Sequence, residues 1–188
     1  MTNSKGPQRF EEWLGAITFN PDAPGDDPGE VSAANRRWLR DFFETEGAAS
    51  REVTQQAFMT YWLALANEAV NAVSADLERT TGLRPEVVAD VWMESSIRIS
   101  IDDGYTAPSM WEIERPEAFA EVADYFQDQL CQTIGCWPVC PRHDLGLHPE
   151  VRDGKAVWWC RRMQHSVAPV GGLGLPEGRR RRHKTTRP

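Results

Sequence analysis

The feature that most constrains this chain is a concentration of cysteine and histidine between positions 136 and 165. Within it, Cys140 and His143 form one closely spaced pair, and Cys160 and His165 form a second. Zinc prefers four tetrahedral nitrogen or sulfur ligands, and structural zinc sites are commonly built from two such pairs. The sequence therefore predicts a structural Zn²⁺ site that joins two separate points of the chain.

The residues between the two pairs predict a β-hairpin that brings the pairs together. Asp153-Gly154 is a preferred dipeptide of the type I′ turn, and segments typical of strands lie on either side of it, at 150–152 and 155–159. Two ligand pairs joined by a hairpin are typical of a zinc ribbon. Residues 136–175 are therefore predicted to form a zinc-ribbon-like module.

The sequence leaves one ligand position open. Three residues form the core of the predicted ligand set: Cys140, His143 and Cys160. His165 is favoured as the fourth ligand because of its spacing from Cys160. His148 and Cys136 are the alternatives for this position, and a site that used Cys136 with Cys140 would leave one histidine free.

No catalytic or cofactor-binding residue is predicted outside this ligand set. A catalytic zinc keeps one position open for water, whereas this segment offers more ligands than one site needs. The zinc deaminase signature, His-Glu-x-x-His, the phosphate-binding loop and the dinucleotide-binding glycine motif are all absent from the sequence. We therefore expect a non-enzymatic protein, with a metal-dependent hydrolase as an alternative.

The first 135 residues predict an arm followed by two long helices. Residues 1–30 are rich in Pro and Gly and predict an irregular arm, although an apolar spacing of three and four residues around Trp13 is compatible with a short docking helix. Helices are predicted at about 32–45 and 50–80 from their apolar periodicity. The aromatic stripe of the second helix is interpreted as core.

The spacing of apolar residues changes after Gly82 from a helical to an alternating pattern. Alternating apolar and polar residues predict three antiparallel strands, at about 87–93, 97–101 and 110–114. A helix at 116–134 is predicted to cover one face of this sheet. Together with the hairpin module, these elements predict an α+β fold with a body at 31–135.

The distribution of charge favours a protein partner over nucleic acid. Residues 1–135 carry 10 Lys and Arg residues against 24 Asp and Glu residues, whereas six basic residues and no acidic residue lie between Arg179 and Pro188. An acidic body repels a polyanion. Nucleic-acid binding through the ribbon and a disordered basic tail at 176–188 remains an alternative.

Three tryptophans near the predicted site are expected either to pack around it or to anchor a partner: Trp137, Trp158 and Trp159.

We expect a cytoplasmic protein without a membrane span. No apolar run approaches the length of about 18 residues that a spanning helix needs, and the first residues are too polar for a signal peptide. In that compartment the cysteines are expected to be reduced, which favours metal binding over disulfides.

Several short motifs follow one another through the second half of the chain. They are Val122-Ala-Asp-Tyr-Phe-Gln-Asp128, Trp137-Pro-Val-Cys-Pro-Arg-His143, His148-Pro149, Asp153-Gly154, Ala156-Val-Trp-Trp-Cys160 and Val167-Ala-Pro-Val-Gly171. With these motifs, residues 97–173 resemble an uncharacterised family of small bacterial proteins. The resemblance implies a strand-and-helix unit that leads into a zinc-ribbon-like end, and it implies no particular activity. It also raises His148 as a ligand, because a histidine at the position of His165 is not a fixed feature of that family.

Overall fold

The computed structural model describes residues 5–18, 31–92, 96–102, 105–106, 110 and 112–174. Within them lie four helices and two antiparallel sheets of three strands each, which is the predicted α+β class. The helices are α1 (Lys5–Thr18), α2 (Ala33–Glu46), α3 (Arg51–Thr81) and α4 (Arg115–Ile134). The strands are β1 (Val87–Trp92), β2 (Ser96–Ile101), β3 (Tyr105–Thr106), β4 (His148–Arg152), β5 (Lys155–Cys160) and β6 (His165–Pro169). The predicted tail, 176–188, and residues 19–30 of the predicted arm lie outside the described residues.

Helix α1 occupies part of the region that was predicted to be an irregular arm, 1–30. Three side chains of its apolar face are buried: Phe10, Trp13 and Leu14. They form a small separate core with α2, where the Trp13 ring lies 5.1 Å from that of Phe43. The Trp13 indole N–H also donates a hydrogen bond of 2.8 Å to the Ala49 carbonyl. The apolar spacing in this helix therefore outweighs the Pro and Gly content of the arm.

Helices α2 and α3 lie close to the predicted bounds because their ends carry suitable capping residues. The Ser32 hydroxyl accepts a hydrogen bond from the Asn35 N–H, at 3.1 Å, and the Ser50 hydroxyl accepts one from the Val53 N–H, at 3.4 Å. At the end of α3, Gly82 has a φ of +79°, in the left-handed region that favours glycine. Helix α3 runs for 31 residues, and its aromatic and aliphatic stripe lies in the core.

The first sheet differs from the prediction in its third strand. Its order is β1-β2-β3, and the predicted strand at 110–114 is not found in its described residues: Met110 forms an isolated bridge to Ile97, 112–114 are not in a strand, and position 111 lies outside the described residues. The carbonyls of Glu112 and Ile113 instead accept hydrogen bonds from side chains of α3. The Trp62 indole donates to the first, at 3.1 Å, and the Tyr61 hydroxyl to the second, at 2.8 Å. Two side chains of α3 thus supply the hydrogen-bond donors that a neighbouring strand would supply in a sheet.

A continuous core connects the helices to the C-terminal sheet. Helix α4 packs against α3 and against β4 and β5, while α3 also packs on β1 and β2. The same buried cluster extends from Trp62 on α3, through Phe126 on α4, to Trp158 and Cys160 on β5. The C-terminal module therefore shares its core with the body. In the part of the chain that the structure describes, no helix combines the length and apolar character that a membrane crossing requires.

Candidate metal centre

A tight turn positions the first pair of candidate ligands. The carbonyl of Cys140 accepts hydrogen bonds from the N–H groups of His143 and Asp144, at 3.3 and 2.9 Å, and its own N–H donates to the Leu145 carbonyl, at 2.7 Å. Asp144 has a φ of +53°, which reverses the chain. The turn places Cys140 Sγ 3.4 Å from His143 Nδ1.

The second pair of candidate ligands faces across a β-hairpin. Cys160 is the last residue of β5, His165 is the first residue of β6, and the two are partners in the register of the sheet. The preceding hairpin, between β4 and β5, turns at Asp153-Gly154 as predicted, and both residues have the positive φ that a type I′ turn requires. Strand β6 was not predicted from the sequence.

The four side chains converge on one point. One ligand atom from each of Cys140, His143, Cys160 and His165 lies within 4.8 Å of all the others. His143 Nδ1 is 3.2 Å from Cys160 Sγ, and His165 Nε2 is 3.8 Å from Cys140 Sγ. Zinc bond lengths of about 2.0 Å to nitrogen and 2.3 Å to sulfur give tetrahedral edges of about 3.3 to 3.8 Å. The four residues can therefore hold a metal ion.

The surroundings of the cluster favour the metal-binding form of a thiol. Burial raises the pKa of Cys140, but the N–H groups of Arg142 and His143 and the Cys160 side chain outweigh it, so the pKa lies below its ordinary value. The thiolate is the form that coordinates metals. Both cysteines are fully buried, while His143 and His165 are half-buried. The cluster therefore lies at the edge of the core, with its imidazoles towards the surface.

The other candidate ligands stand apart from this cluster. His148 is the first residue of β4 and pairs with Trp159, and it does not belong to the four-residue cluster. Cys136 is exposed and its sulfur lies against Gly146, so close that a Cβ at Gly146 would be 2.6 Å from it. Among the described residues, the cluster thus consists of the set favoured by pair spacing, with His165 in the fourth position.

A buried carboxylate that the sequence analysis missed fastens this module to the body. Asp76 of α3 is completely buried and accepts four hydrogen bonds. Its Oδ1 accepts from the Arg79 guanidinium, at 2.6 Å, and from the Leu173 N–H, at 2.7 Å. Its Oδ2 accepts from the Trp158 indole and from the Gly171 N–H, both at 2.7 Å. The sequence feature that could have indicated Asp76 is its position, as an acidic residue between Val73 and Leu77 on the apolar face of α3.

The tryptophans near the cluster serve mainly in packing. Trp137 and Trp158 are buried edge to face, with ring centroids 5.4 Å apart. The Trp137 indole donates a hydrogen bond of 2.9 Å to the Thr80 hydroxyl of α3. Trp159 is half-buried, and the Arg152 guanidinium lies 4.6 Å from its ring centroid. The first two are therefore unavailable as anchors for a partner.

Fold and site together define an α+β protein whose Cys₂His₂ cluster joins a turn to the end of a three-stranded sheet. A scan of the chain against protein-family models and searches of curated proteins and of solved structures gave no match.

Proposed function

We propose that Cys140, His143, Cys160 and His165 hold a structural Zn²⁺ ion, and that the chain is a non-enzymatic protein that binds a protein partner. The convergence of the four ligand atoms within 4.8 Å is the observation that carries the proposal. Two thiolates and two imidazoles suit zinc, whereas magnesium and calcium prefer oxygen ligands. When bound, the ion supplies a cross-link between the turn at 140–143 and the hairpin loop at 161–164.

The number of protein ligands favours a structural role over a catalytic one. Four side chains complete a tetrahedral shell, whereas a catalytic zinc has three protein ligands and an open position for water. A hydrolase would require one of the four to leave the metal. The cross-link instead fixes two surface loops relative to each other, and rigid loops are suited to recognition because less conformational entropy is lost on binding.

Nucleic-acid binding is the second candidate, because three arginines lie beside the cluster. Arg142, Arg161 and Arg162 are exposed on the two ligand-bearing loops. The net negative charge of residues 1–135 opposes a polyanion, and this places the second candidate below the first. Deletion of 179–188 separates a contribution of the loops from that of the tail. Failure to bind DNA or RNA at about 0.15 M salt would exclude this candidate.

The metal proposal is tested by native mass spectrometry of protein purified without chelator or affinity metal. We expect one zinc per chain in the wild type and loss of zinc in Cys140→Ser and Cys160→Ser. Cys131→Ser is the matched control, because Cys131 is exposed on α4 and outside the cluster. Absence of metal, or equal zinc in all of these proteins, would refute the proposal.

The binding role is tested by affinity purification from the native host with the same proteins. A partner that supports the proposal is recovered with wild type and Cys131→Ser but not with Cys140→Ser, and it binds the purified zinc protein directly when produced alone. If the protein contains zinc but no candidate partner binds it directly, the binding role is contradicted, and the proposal of a zinc site is unaffected.

A further inference from the structure

The two ligand-bearing loops expose apolar side chains beside the cluster. Val139, Leu145 and Met163 are 42%, 45% and 65% exposed. Val139 precedes the ligand Cys140, and the Cys140 N–H donates to the carbonyl of Leu145 on the same turn. Met163 lies in the loop between Cys160 and His165. Since the ligands of both loops converge, these side chains belong to neighbouring surfaces.

The same loops carry three arginines, and two of them have no ion-pair partner among the described residues. Arg142 and Arg162 form no ion pair with any residue in the described ranges. Arg161 lies 3.3 Å from Glu150, which is also paired with Arg152. Asp144 is the one acidic residue on the two loops between positions 139 and 145 and between 161 and 164. The loops thus have a positive balance on a protein whose first 135 residues are strongly acidic.

We infer that these loops bind an acidic segment of a partner protein that also carries apolar side chains. The loop surface consists of Val139, Arg142, Leu145, Arg161, Arg162 and Met163. The inference rests on the proposed function, because the zinc cross-link holds the two loops together and the partner is a protein. Arginine pairs with carboxylates through a planar, bidentate geometry. Methionine adapts to varied apolar partners and is common at binding surfaces.

Two features favour a peptide over a nucleic acid on this surface. Phosphate backbones use the charge of arginine but make no use of exposed aliphatic side chains, whereas an acidic peptide with leucine or phenylalanine uses both. A long polyanion also meets the repulsion of the acidic body, while a short acidic segment carries few charges. A second copy of this chain, bound through its acidic residues, is another occupant that the experiment must distinguish from a partner protein.

The probe is a phage library of random 12-residue peptides, selected on the zinc-loaded protein. We expect the selected peptides to be enriched in Asp and Glu together with Leu, Phe or Met. The triple variant Arg142→Glu, Arg161→Glu and Arg162→Glu is expected to bind them at least about tenfold more weakly. Met163→Ser, which leaves every charge in place, is expected to weaken binding several-fold.

A second triple variant provides a control with the same change in net charge. Arg37→Glu, Arg84→Glu and Arg115→Glu alter side chains that are 61%, 74% and 59% exposed and lie outside the C-terminal module. Their ion pairs are on the surface and contribute little to stability. This variant is expected to bind the selected peptides within about twofold of wild type, because the charges it removes are not on the loop surface.

Three outcomes would overturn the inference. One is selection of peptides that are not acidic, and another is equal weakening by both triple variants. The third is tighter binding of a 20-nucleotide oligo(dT), or self-association, that depends on Arg142, Arg161 and Arg162. Zinc content is measured on every sample. Unchanged peptide binding in the loop triple variant with zinc retained refutes the loop surface alone, whereas a wild type without zinc refutes the proposed function.

Discussion

At the scale of single residues, the four candidate ligands differ in how deeply the fold encloses them. Cys140 and Cys160 are completely buried, so replacing either one disturbs core packing as well as the cluster. His143 and His165 are half-buried, and their replacement acts mainly on the cluster. The histidines are therefore the better positions at which to separate metal binding from folding.

His165→Ala is expected to weaken zinc binding by about 100-fold or more, because it removes one of four ligands. His148→Ala is the matched control, since His148 lies on β4 outside the cluster and should leave the affinity within about threefold. Competition with a chromophoric chelator measures both affinities. The opposite ranking of the two variants would place His148 in the site.

Asp76→Ala is expected to lower the free energy of unfolding by about 3–5 kcal/mol. The change leaves a buried indole and two backbone N–H groups without their acceptor and leaves Arg79 without its counter-charge. Urea denaturation measures the loss. Glu78→Ala, on the same helix but with only an exposed ion pair to Arg84, is the control and should cost under about 1 kcal/mol.

At the scale of elements, the sequence predicted what is encoded locally. The helices predicted at about 32–45 and 50–80 and the turn at Asp153-Gly154 depend on neighbouring residues, and all three were found, with Ser32 and Ser50 capping the helices. The predicted strand at 110–114 was not found in its described residues, where side chains of α3 donate hydrogen bonds to the carbonyls of Glu112 and Ile113. Strand β6 was missed because His165–Pro169 has little apolar alternation and exists through pairing with β5.

The candidate site shows the same division between local and long-range information. The short spacing within each ligand pair indicated Cys140 with His143 and Cys160 with His165, and the structure brings these four together. The anchor at Asp76 depends on partners more than 80 residues away, such as Trp158 at a separation of 82. Periodicity within one helix carries no information about such a partner.

Two glycine substitutions, one at the end of α3 and one within α1, are expected to change the free energy of unfolding in opposite directions. Gly82→Ala should lower the free energy of unfolding by about 1 kcal/mol, because Gly82 ends α3 with a φ of +79°. Gly15→Ala, within α1, should raise it by about 0.5–1 kcal/mol, since a Cβ there meets nothing within 4 Å. Urea denaturation of both variants measures these changes. If the two substitutions change the free energy of unfolding in the same direction, these backbone assignments are contradicted.

At the scale of the whole molecule, the cluster lies at one end of a core that runs through α3, α4 and the C-terminal sheet. Cys160 and Trp158 belong both to that core and to the strand that leads into the cluster. Disorder at the cluster is therefore expected to spread into the body rather than remain in a separate module.

Removal of the metal is accordingly expected to lower the melting temperature of the whole chain by about 10 °C, in a single transition. A ligand at a free concentration several hundred times its Kd or more stabilises the folded state by about 3–4 kcal/mol. For a chain of this length, that stabilisation corresponds to a change of about 10 °C in melting temperature. Differential scanning calorimetry with and without a chelator measures it. Unchanged melting, or two separate transitions, would contradict a metal that is integral to one core.

The most direct test of the Cys₂His₂ zinc site is X-ray absorption at the zinc edge of the purified protein. We expect two sulfur neighbours at about 2.3 Å and two nitrogen neighbours at about 2.0–2.1 Å, with the multiple scattering of two imidazole rings. Cys131→Ser should give the same spectrum, because Cys131 lies outside the cluster. Multiple scattering from fewer than two imidazole rings, or a third sulfur neighbour, would contradict the closed structural site that is proposed.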